Sequence, residues 1–141
     1  MSIESVLYRS TASATGGRDD RAAIADGQLN LSLTTPRELG GAGGAGTSPE
    51  QLFACGYSAC FLGAMKFVAA RDKLPMPTDA SVRGTVGIGA VPNGFGIEVE
   101  LEISLPGMLR DVAQTLVDRA RVVCPDSNAT RNNIDVRLSL V

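Results

Sequence analysis

Histidine is absent from this sequence of 141 residues. Because histidine is the commonest general base near neutral pH and the commonest metal ligand, its absence excludes Ser-His and Cys-His nucleophilic mechanisms. The sequence has three cysteines and no Cys-x-x-Cys pair, so a zinc site would be poorly supplied with ligands. We therefore expect no metal and no other bound cofactor.

A strong charge of either sign and long apolar runs are also lacking. The 13 Lys and Arg are scattered and the net charge is -2, which gives no basic surface for nucleic acid. The first nine residues do not follow the signal-peptide pattern, and no run of ~18 apolar residues is free of glycine or charge. These features predict a cytoplasmic protein that binds neither nucleic acid nor membrane. In a reducing compartment, an odd number of cysteines favours a transient, catalytic disulfide over a structural one.

Hydrophobic periodicity predicts one α+β domain over residues 1–141, in the order ββα-ββα-β. Alternating residues in two early segments predict an opening pair of strands, and a second pair and a last strand follow later in the chain. The five predicted strands cover residues 4–15, 28–34, 81–91, 96–105 and 134–141.

Two helices are predicted between these strands. Thr47-Ser48-Pro49-Glu50 is a helix-start pattern, and the residues from Leu52 to Ala70 are apolar nearly all round, so we expect a central helix buried on an antiparallel sheet. Residues 109–123 alternate at helical spacing between apolar and charged side chains, which is typical of a covering helix. That helix should end at Cys124-Pro125, because the residue before a proline is disfavoured in the α region.

A Gly-rich segment between the first strands and the central helix fits a dinucleotide-binding pattern by its letters alone. Residues 41–46 read Gly-Ala-Gly-Gly-Ala-Gly, but Pro36 separates them from the preceding strand and no acid lies ~20 residues further on. We interpret the segment as a connector.

The three cysteines differ in position. Cys55 and Cys60 lie five residues apart on the apolar helix, so they point roughly 140° apart and cannot pair with each other. Cys124 lies at the end of a helix, where the backbone leaves the α region and a second sulfur could reach its thiol. The residues alone leave two interpretations open for each thiol, an inert core side chain or a working group.

Four ordered blocks along the chain resemble the organic hydroperoxide resistance (Ohr) proteins of the OsmC family. The blocks begin at Thr15 (Thr-Gly-Gly-Arg-Asp), at Leu39 (through Gly-Thr-Ser-Pro-Glu-Gln-Leu-Phe-Ala), at Gly56 (Gly-Tyr-Ser-Ala-Cys-Phe) and at Val123 (Val-Cys-Pro-Asp-Ser-Asn-Ala-Thr-Arg). One position departs from the pattern, since Asp126 follows Cys124-Pro125 where family members often carry an aromatic residue.

The resemblance implies a cysteine-based peroxidase, free of haem and metal, that acts as an intertwined homodimer. Its reductant would be dihydrolipoamide or a lipoylated protein. Carried onto this chain, Cys60 would attack the peroxide, Cys124 would form a disulfide with it, Arg18 would be the cationic partner of the thiolate and Glu50 would hold Arg18. Cys55 matches no functional position and is expected in the core.

Chemistry gives an independent reason for a cation near Cys60. A thiol with its ordinary pKa of ~8.5 is only a few per cent thiolate at neutral pH. Cys60 lies ten residues beyond Glu50, too far along the helix to benefit from the positive helix N-terminus, and Lys66 points to a different face. Arg18 is a reasonable source, although a solvated turn arginine and a first-turn glutamate are the simpler interpretations of Arg18 and Glu50.

The spacing of Glu50 and Cys60 also bears on assembly. Ten residues of straight helix span about 15 Å, farther than one guanidinium can bridge. Either the helix breaks near Gly56, or Arg18 and Glu50 of one subunit serve Cys60 of the other, which we favour.

Other functions for the same residues are a thiol redox sensor, a small-molecule binding module with bystander cysteines, and a peroxidase of the OsmC branch with another substrate preference.

Overall fold

The computed structural model describes residues 1–141, which form two compact units, Met1–Pro49 and Glu50–Val141. The helices and strands follow the order βββ-α-ββ-αα-β. The strands are β1 (Ala12–Thr15), β2 (Arg21–Ile24), β3 (Asn30–Ser32), β4 (Ser81–Val91), β5 (Gly94–Ser104) and β6 (Val136–Leu140). The helices are α1 (Pro49–Asp72), α2 (Arg110–Val123) and α3 (Pro125–Thr130). The predicted single domain over residues 1–141 stays a prediction.

The first unit is a small antiparallel sheet with strand order β1-β2-β3. The prediction of two opening strands is wrong, because the structure has three. A turn at Gly16-Gly17 reverses the chain into β2, a strand that was not predicted. These strands have only three or four residues, and all of their side chains are exposed or partly buried. Short strands of this kind carry too little alternation to be recognised by periodicity.

The second unit contains the sheet β4-β5-β6. β4 and β5 form a hairpin, as predicted, and its turn is made by Pro92 and Asn93, with Asn93 at a positive φ of 67°. β5 places Val99, Leu101 and Ile103 in the core. The predicted antiparallel sheet is wrong at one edge, because β6 runs parallel to β5. A parallel neighbour requires a crossover, and α2 and α3 lie between β5 and β6 in the chain.

α1 packs one face against this sheet. The contact is close at Gly84 of β4, where an added Cβ would meet Ser58 Oγ at 2.5 Å and the Ala54 carbonyl at 3.1 Å. Glycine at this position therefore lets the helix approach the strand. The buried residues of the helix are Tyr57, Phe61, Ala64, Met65, Val68 and Ala69. They join residues of β5 and α2 in one hydrophobic core.

The expectation that α1 is buried all round is wrong for the single chain. Its opposite face is exposed, and Phe67 is 58% exposed there. The other exposed apolar or small residues of this face are Cys55, Gly56, Ala59, Gly63 and Ala70. One sheet and one covering helix can pack against only part of a helix circumference, which leaves this face without a cover.

α1 is also long and apolar enough, by length and composition, to cross a membrane. One such helix is weak evidence of a span, because the core helix of a soluble protein meets the same criteria. Here the other face of α1 supplies Phe61, Met65 and Val68 to the protein core.

The predicted covering helix α2 is confirmed, with Ala113, Leu116, Val117 and Ala120 on its buried face. It ends at Val123, and Cys124 takes an extended conformation with φ -65° and ψ 121°. The helix that follows was not predicted from the sequence. Pro125, expected only to end α2, is also the first residue of α3, a position where its missing N–H costs nothing.

Candidate active site

Cys60 and Cys124 lie together in the second unit. Their Sγ atoms are 3.5 Å apart, and both are free thiols. α1 carries Cys60 on a continuous helix, whereas Cys124 lies in the extended residue between α2 and α3. A disulfide requires ~2.05 Å between the sulfurs, so a side-chain movement of about 1.5 Å would join them.

The two thiols differ in access. Cys124 is fully buried, whereas Cys60 is partly buried and packs against the hydrophobic core. A reagent arriving from solvent therefore meets Cys60 first, and Cys124 lies behind it. Phe53, Leu62 and Val123 pack against the same hydrophobic core as Cys60.

The pKa of the Cys60 thiol is raised to about 11, chiefly by burial; the backbone N–H of Asp126 opposes the rise, and the Cys124 thiol and the Asp126 carboxylate add to it. At pH 7 a thiol with so high a pKa is almost entirely protonated. Nucleophilic use of Cys60 therefore needs a group that removes its proton or supplies positive charge.

Asp126 is a neighbour of Cys60 that the sequence analysis did not assign to the site. It is the second residue of α3 and partly buried. Burial raises the pKa of Asp126 above its usual value, and the interaction with the Cys60 thiol opposes the rise. The sequence signal was the Cys124-Pro125-Asp126 order, since proline at the first position of a helix places the next residue in its first turn.

A buried cluster of hydroxyl groups fixes α3 to α1 beside the thiols. Tyr57 Oη lies 3.1 Å from both Ser127 Oγ and Thr130 Oγ1. Thr130 Oγ1 also lies 2.9 Å from the Asp126 carbonyl, to which it donates. Tyr57 precedes Cys60 by three residues and so lies on the same side of α1. This cluster was not predicted from the sequence, although Ser127 and Thr130 are three residues apart and therefore lie on one face of α3.

We expect Tyr57→Phe to lower the free energy of unfolding by about 1–3 kcal/mol, because Ser127 and Thr130 lose a hydrogen-bond partner while they stay buried. Urea unfolding followed by circular dichroism measures the change. Tyr8→Phe is the matched control, since Tyr8 is 82% exposed. Equal stability of both variants and the wild type would contradict the structural importance of the cluster.

Arg18 lies in the first unit, in a turn with fixed geometry. Gly16 and Gly17 both have positive φ, at 68° and 62°, where other residues are strained. Asp19 accepts hydrogen bonds from Thr35 N (2.9 Å) and Thr35 Oγ1 (2.7 Å), which lower the pKa of Asp19. Arg18 itself is partly buried.

Glu50 is the second residue of α1 and is partly buried. α1 continues without a break from Pro49 to Asp72, so the alternative in which the helix breaks near Gly56 is wrong. Glu50 and Cys60 are therefore ten residues apart on one continuous helix, about 15 Å along its axis.

Cys55 is exposed in the structure, so the expectation of a core position is wrong. It lies on the uncovered face of α1 rather than on the face with Tyr57 and Phe61. The predicted difference in direction between Cys55 and Cys60 explains this position. The structure contains no group of three or more His, Cys, Asp or Glu side chains placed to hold a metal ion.

Comparison with known proteins identifies the family. The family model described as "OsmC-like protein" matches residues 41–139. The organic hydroperoxide resistance protein of Xanthomonas axonopodis pv. citri is 63% identical over 139 residues, which cover 99% of this chain and 98% of that protein. This chain belongs to the Ohr proteins of the OsmC-like family. Its fold class and the resemblance stated from the sequence are thereby confirmed.

Solved Ohr structures have the same fold. The crystal structure of an organic hydroperoxide resistance protein from Legionella pneumophila has a TM-score of 0.91 and 44% identity, and the match covers 96% of this Ohr chain and 98% of that one. The structure of OhrB from Bacillus subtilis has a TM-score of 0.88 and 38% identity, with 96% and 100% coverage. Membership in this family connects the chain to organic hydroperoxide resistance.

Proposed function

We propose that this Ohr chain is a cysteine-based peroxidase that reduces organic hydroperoxides to alcohols. The observation that carries the proposal is the pair of thiols 3.5 Å apart, one reachable from solvent and one buried behind it. In this cycle the Cys60 thiolate attacks the distal peroxide oxygen, the alcohol leaves, and Cys60 becomes a sulfenic acid. Cys124 then condenses with the sulfenic acid and releases water, which leaves a Cys60-Cys124 disulfide.

The remaining parts of the proposal concern activation and recycling. Arg18, held by Glu50, supplies the positive charge that the Cys60 thiolate needs, because burial alone disfavours that thiolate. An external dithiol, dihydrolipoamide or a lipoylated protein, reduces the disulfide without any bound cofactor. One thiol of the reductant first forms a mixed disulfide with the protein. The second thiol of the same molecule then attacks this mixed disulfide and releases the reduced cysteine, which is why a dithiol suits this step.

We also propose that the protein acts as a cytoplasmic homodimer. The uncovered face of α1 supports this, since it is long and, Lys66 excepted, its exposed residues from Cys55 to Ala70 are apolar or small, which allows a partner helix to approach closely. A two-fold partner would cover the face and bring the two half-sites together.

The test is steady-state consumption of a homologous series of alkyl hydroperoxides and of hydrogen peroxide, with either dihydrolipoamide or a monothiol as reductant. We expect continuous turnover with the dithiol and little with the monothiol. Each methylene buried against the hydrophobic core beside Cys60 adds ~0.8 kcal/mol, about a fourfold increase in kcat/KM. Hydrogen peroxide should therefore be the poorest substrate.

The alternative functions give different results. One oxidation per chain, with no turnover even when dithiol is supplied, would indicate a redox sensor. A preference for hydrogen peroxide would indicate the substrate range of another OsmC branch. Unchanged peroxide consumption in Cys60→Ser would show that the cysteines are bystanders.

A further inference from the structure

The hydroxyl groups between α1 and α3 form a chain of hydrogen bonds whose direction is fixed. Thr130 has one hydroxyl proton, and it is donated to the Asp126 carbonyl at 2.9 Å, because a carbonyl can only accept. Tyr57 Oη lies 3.1 Å from Thr130 Oγ1 and must therefore donate its own proton to Thr130. Ser127 Oγ, also 3.1 Å from Tyr57 Oη, must in turn donate to Tyr57. The chain thus runs from Ser127 through Tyr57 and Thr130 to the Asp126 carbonyl.

This hydroxyl chain is shielded from solvent. Tyr57, Ser127 and Thr130 are all buried, so water cannot readily replace a partner that one of them loses. Tyr57 is the member of the chain that belongs to α1, whereas Ser127 and Thr130 belong to α3. Both hydrogen bonds by which the chain joins the two helices are therefore made by Tyr57 Oη.

The backbone of Cys124 is coupled to the start of α3. Its carbonyl accepts from the Asn128 N–H at 3.0 Å, and its own N–H donates to the Ala120 carbonyl at 2.9 Å. Pro125 follows directly as the first residue of α3, with the fixed φ of proline. A displacement of the first turn of α3 away from α1 would therefore carry Cys124 with it.

The helix that anchors α3 is also the helix that carries the other thiol. Tyr57 and Cys60 are three residues apart on α1, about one helical turn. The hydroxyl chain thus links the helix of Cys60 to the segment of Cys124, and the two sulfurs lie 3.5 Å apart. Reactions between held groups depend strongly on this alignment, since a misplacement of about 1 Å can slow them about 10²-fold.

We propose that Tyr57 is a positioning residue for disulfide formation, whose hydroxyl group holds α3 against α1 and so keeps the Cys124 thiol beside the oxidised Cys60. This inference rests on the proposed function. In the step concerned, Cys124 Sγ attacks the sulfur of the Cys60 sulfenic acid, the S–S bond forms and the S–O bond breaks. The hydroxide that leaves takes up the Cys124 thiol proton and becomes water. Tyr57 makes and breaks no covalent bond, so the earlier attack of Cys60 on peroxide does not depend on it.

The test measures how oxidised Cys60 divides between two competing reactions. Reduced protein, without any reductant, receives one equivalent of an alkyl hydroperoxide in the presence of dimedone, a 1,3-dione that forms a carbon–sulfur bond with sulfenic acids. Intact-mass spectrometry separates the disulfide from the dimedone adduct, and their ratio gives the rate of disulfide formation relative to the rate of trapping. The same substitutions in a Cys124→Ser background give the rates of peroxide attack and of trapping by themselves.

We expect Tyr57→Phe to lower the ratio of disulfide to adduct by about 10–100-fold, while peroxide attack and trapping in the Cys124→Ser background keep their rates. Thr130→Val should also lower the ratio, because the buried hydroxyl proton of Tyr57 loses its acceptor. Ser127→Ala should lower it less, because Tyr57 still donates to Thr130 and the link between the helices remains.

The matched control is Thr115→Val on α2. Thr115 Oγ1 donates to the Asp111 carbonyl at 3.0 Å, four residues earlier, which is the bond that Thr130 makes with Asp126 on α3. The control therefore removes the same intrahelical hydrogen bond without touching the hydroxyl chain, and its ratio should equal that of the wild type.

An unchanged ratio in both Tyr57→Phe and Thr130→Val would overturn the proposal. A slowing of peroxide attack by the same factor as disulfide formation would overturn it as well, because that result assigns Tyr57 a general structural role. Failure of the proposed function is a separate result, since the wild type itself would then give neither disulfide nor adduct.

Discussion

Replacement of Cys60 by serine abolishes peroxide consumption, to the level of a solution without protein, if this residue is the nucleophile. Its hydroxyl group is a far weaker acid than a thiol and supplies almost no anion at neutral pH. Cys124 is fully buried, and Cys55, although exposed, lies outside the site on another face of α1. The measurement is the loss of alkyl hydroperoxide after mixing with one equivalent of reduced protein.

Cys124→Ser tests the role of the second thiol. We expect this variant to consume one equivalent of peroxide rapidly and then to stop. Cys60 still reacts with peroxide, but no second sulfur is available to form the disulfide. Cys55→Ser is the control and should behave as the wild type. Equal initial bursts in Cys60→Ser and Cys124→Ser would contradict the order of events proposed for the two thiols.

Mixing two inactive variants, Arg18→Ala and Cys60→Ser, is expected to restore activity. The unbroken α1 places Glu50 and Cys60 about 15 Å apart, so one arginine cannot contact both within a chain. If Arg18 and Glu50 of one subunit serve Cys60 of the other, each heterodimer contains one intact site. Random exchange of equal amounts then gives about a quarter of the wild-type activity.

A second mixture provides the control for this experiment. Arg18→Ala and Glu50→Ala chains should not complement each other, because both residues come from the same subunit and every site in the heterodimer keeps one defect. Absence of recovery in the first mixture, after subunit exchange has been verified, would mean that each chain carries a complete site.

The regular parts of the fold could be predicted from the sequence. The central helix, the β4-β5 hairpin and α2 are long segments whose apolar spacing has a clear period, and the structure confirms them. The direction of β6 could not be predicted, because five alternating residues fit a parallel and an antiparallel edge equally well. The exposed face of α1 was missed for a related reason, since composition shows that a face is apolar but not what covers it.

The candidate site was predictable where local chemistry restricts the backbone. Pro125 forces Cys124 out of the helix, and this extended residue directs its thiol towards Cys60. The contacts of Asp126 and Tyr57 depend on how α3 packs against α1, and no local pattern encodes that packing. Arg18 and Glu50 were assigned through the family resemblance, and their roles remain proposals.

Because the two sulfurs are 3.5 Å apart, disulfide formation competes directly with further oxidation of Cys60. A sulfenic acid at Cys60 can meet a second peroxide and become a sulfinic acid, which ordinary thiols cannot reverse. Cys124 competes as an internal reagent already at contact distance, and well-oriented internal groups act as if present at about 10⁵–10⁸ M. A second peroxide reaches Cys60 only by diffusion, so we expect Cys60 to resist further oxidation by excess peroxide for as long as Cys124 remains reduced.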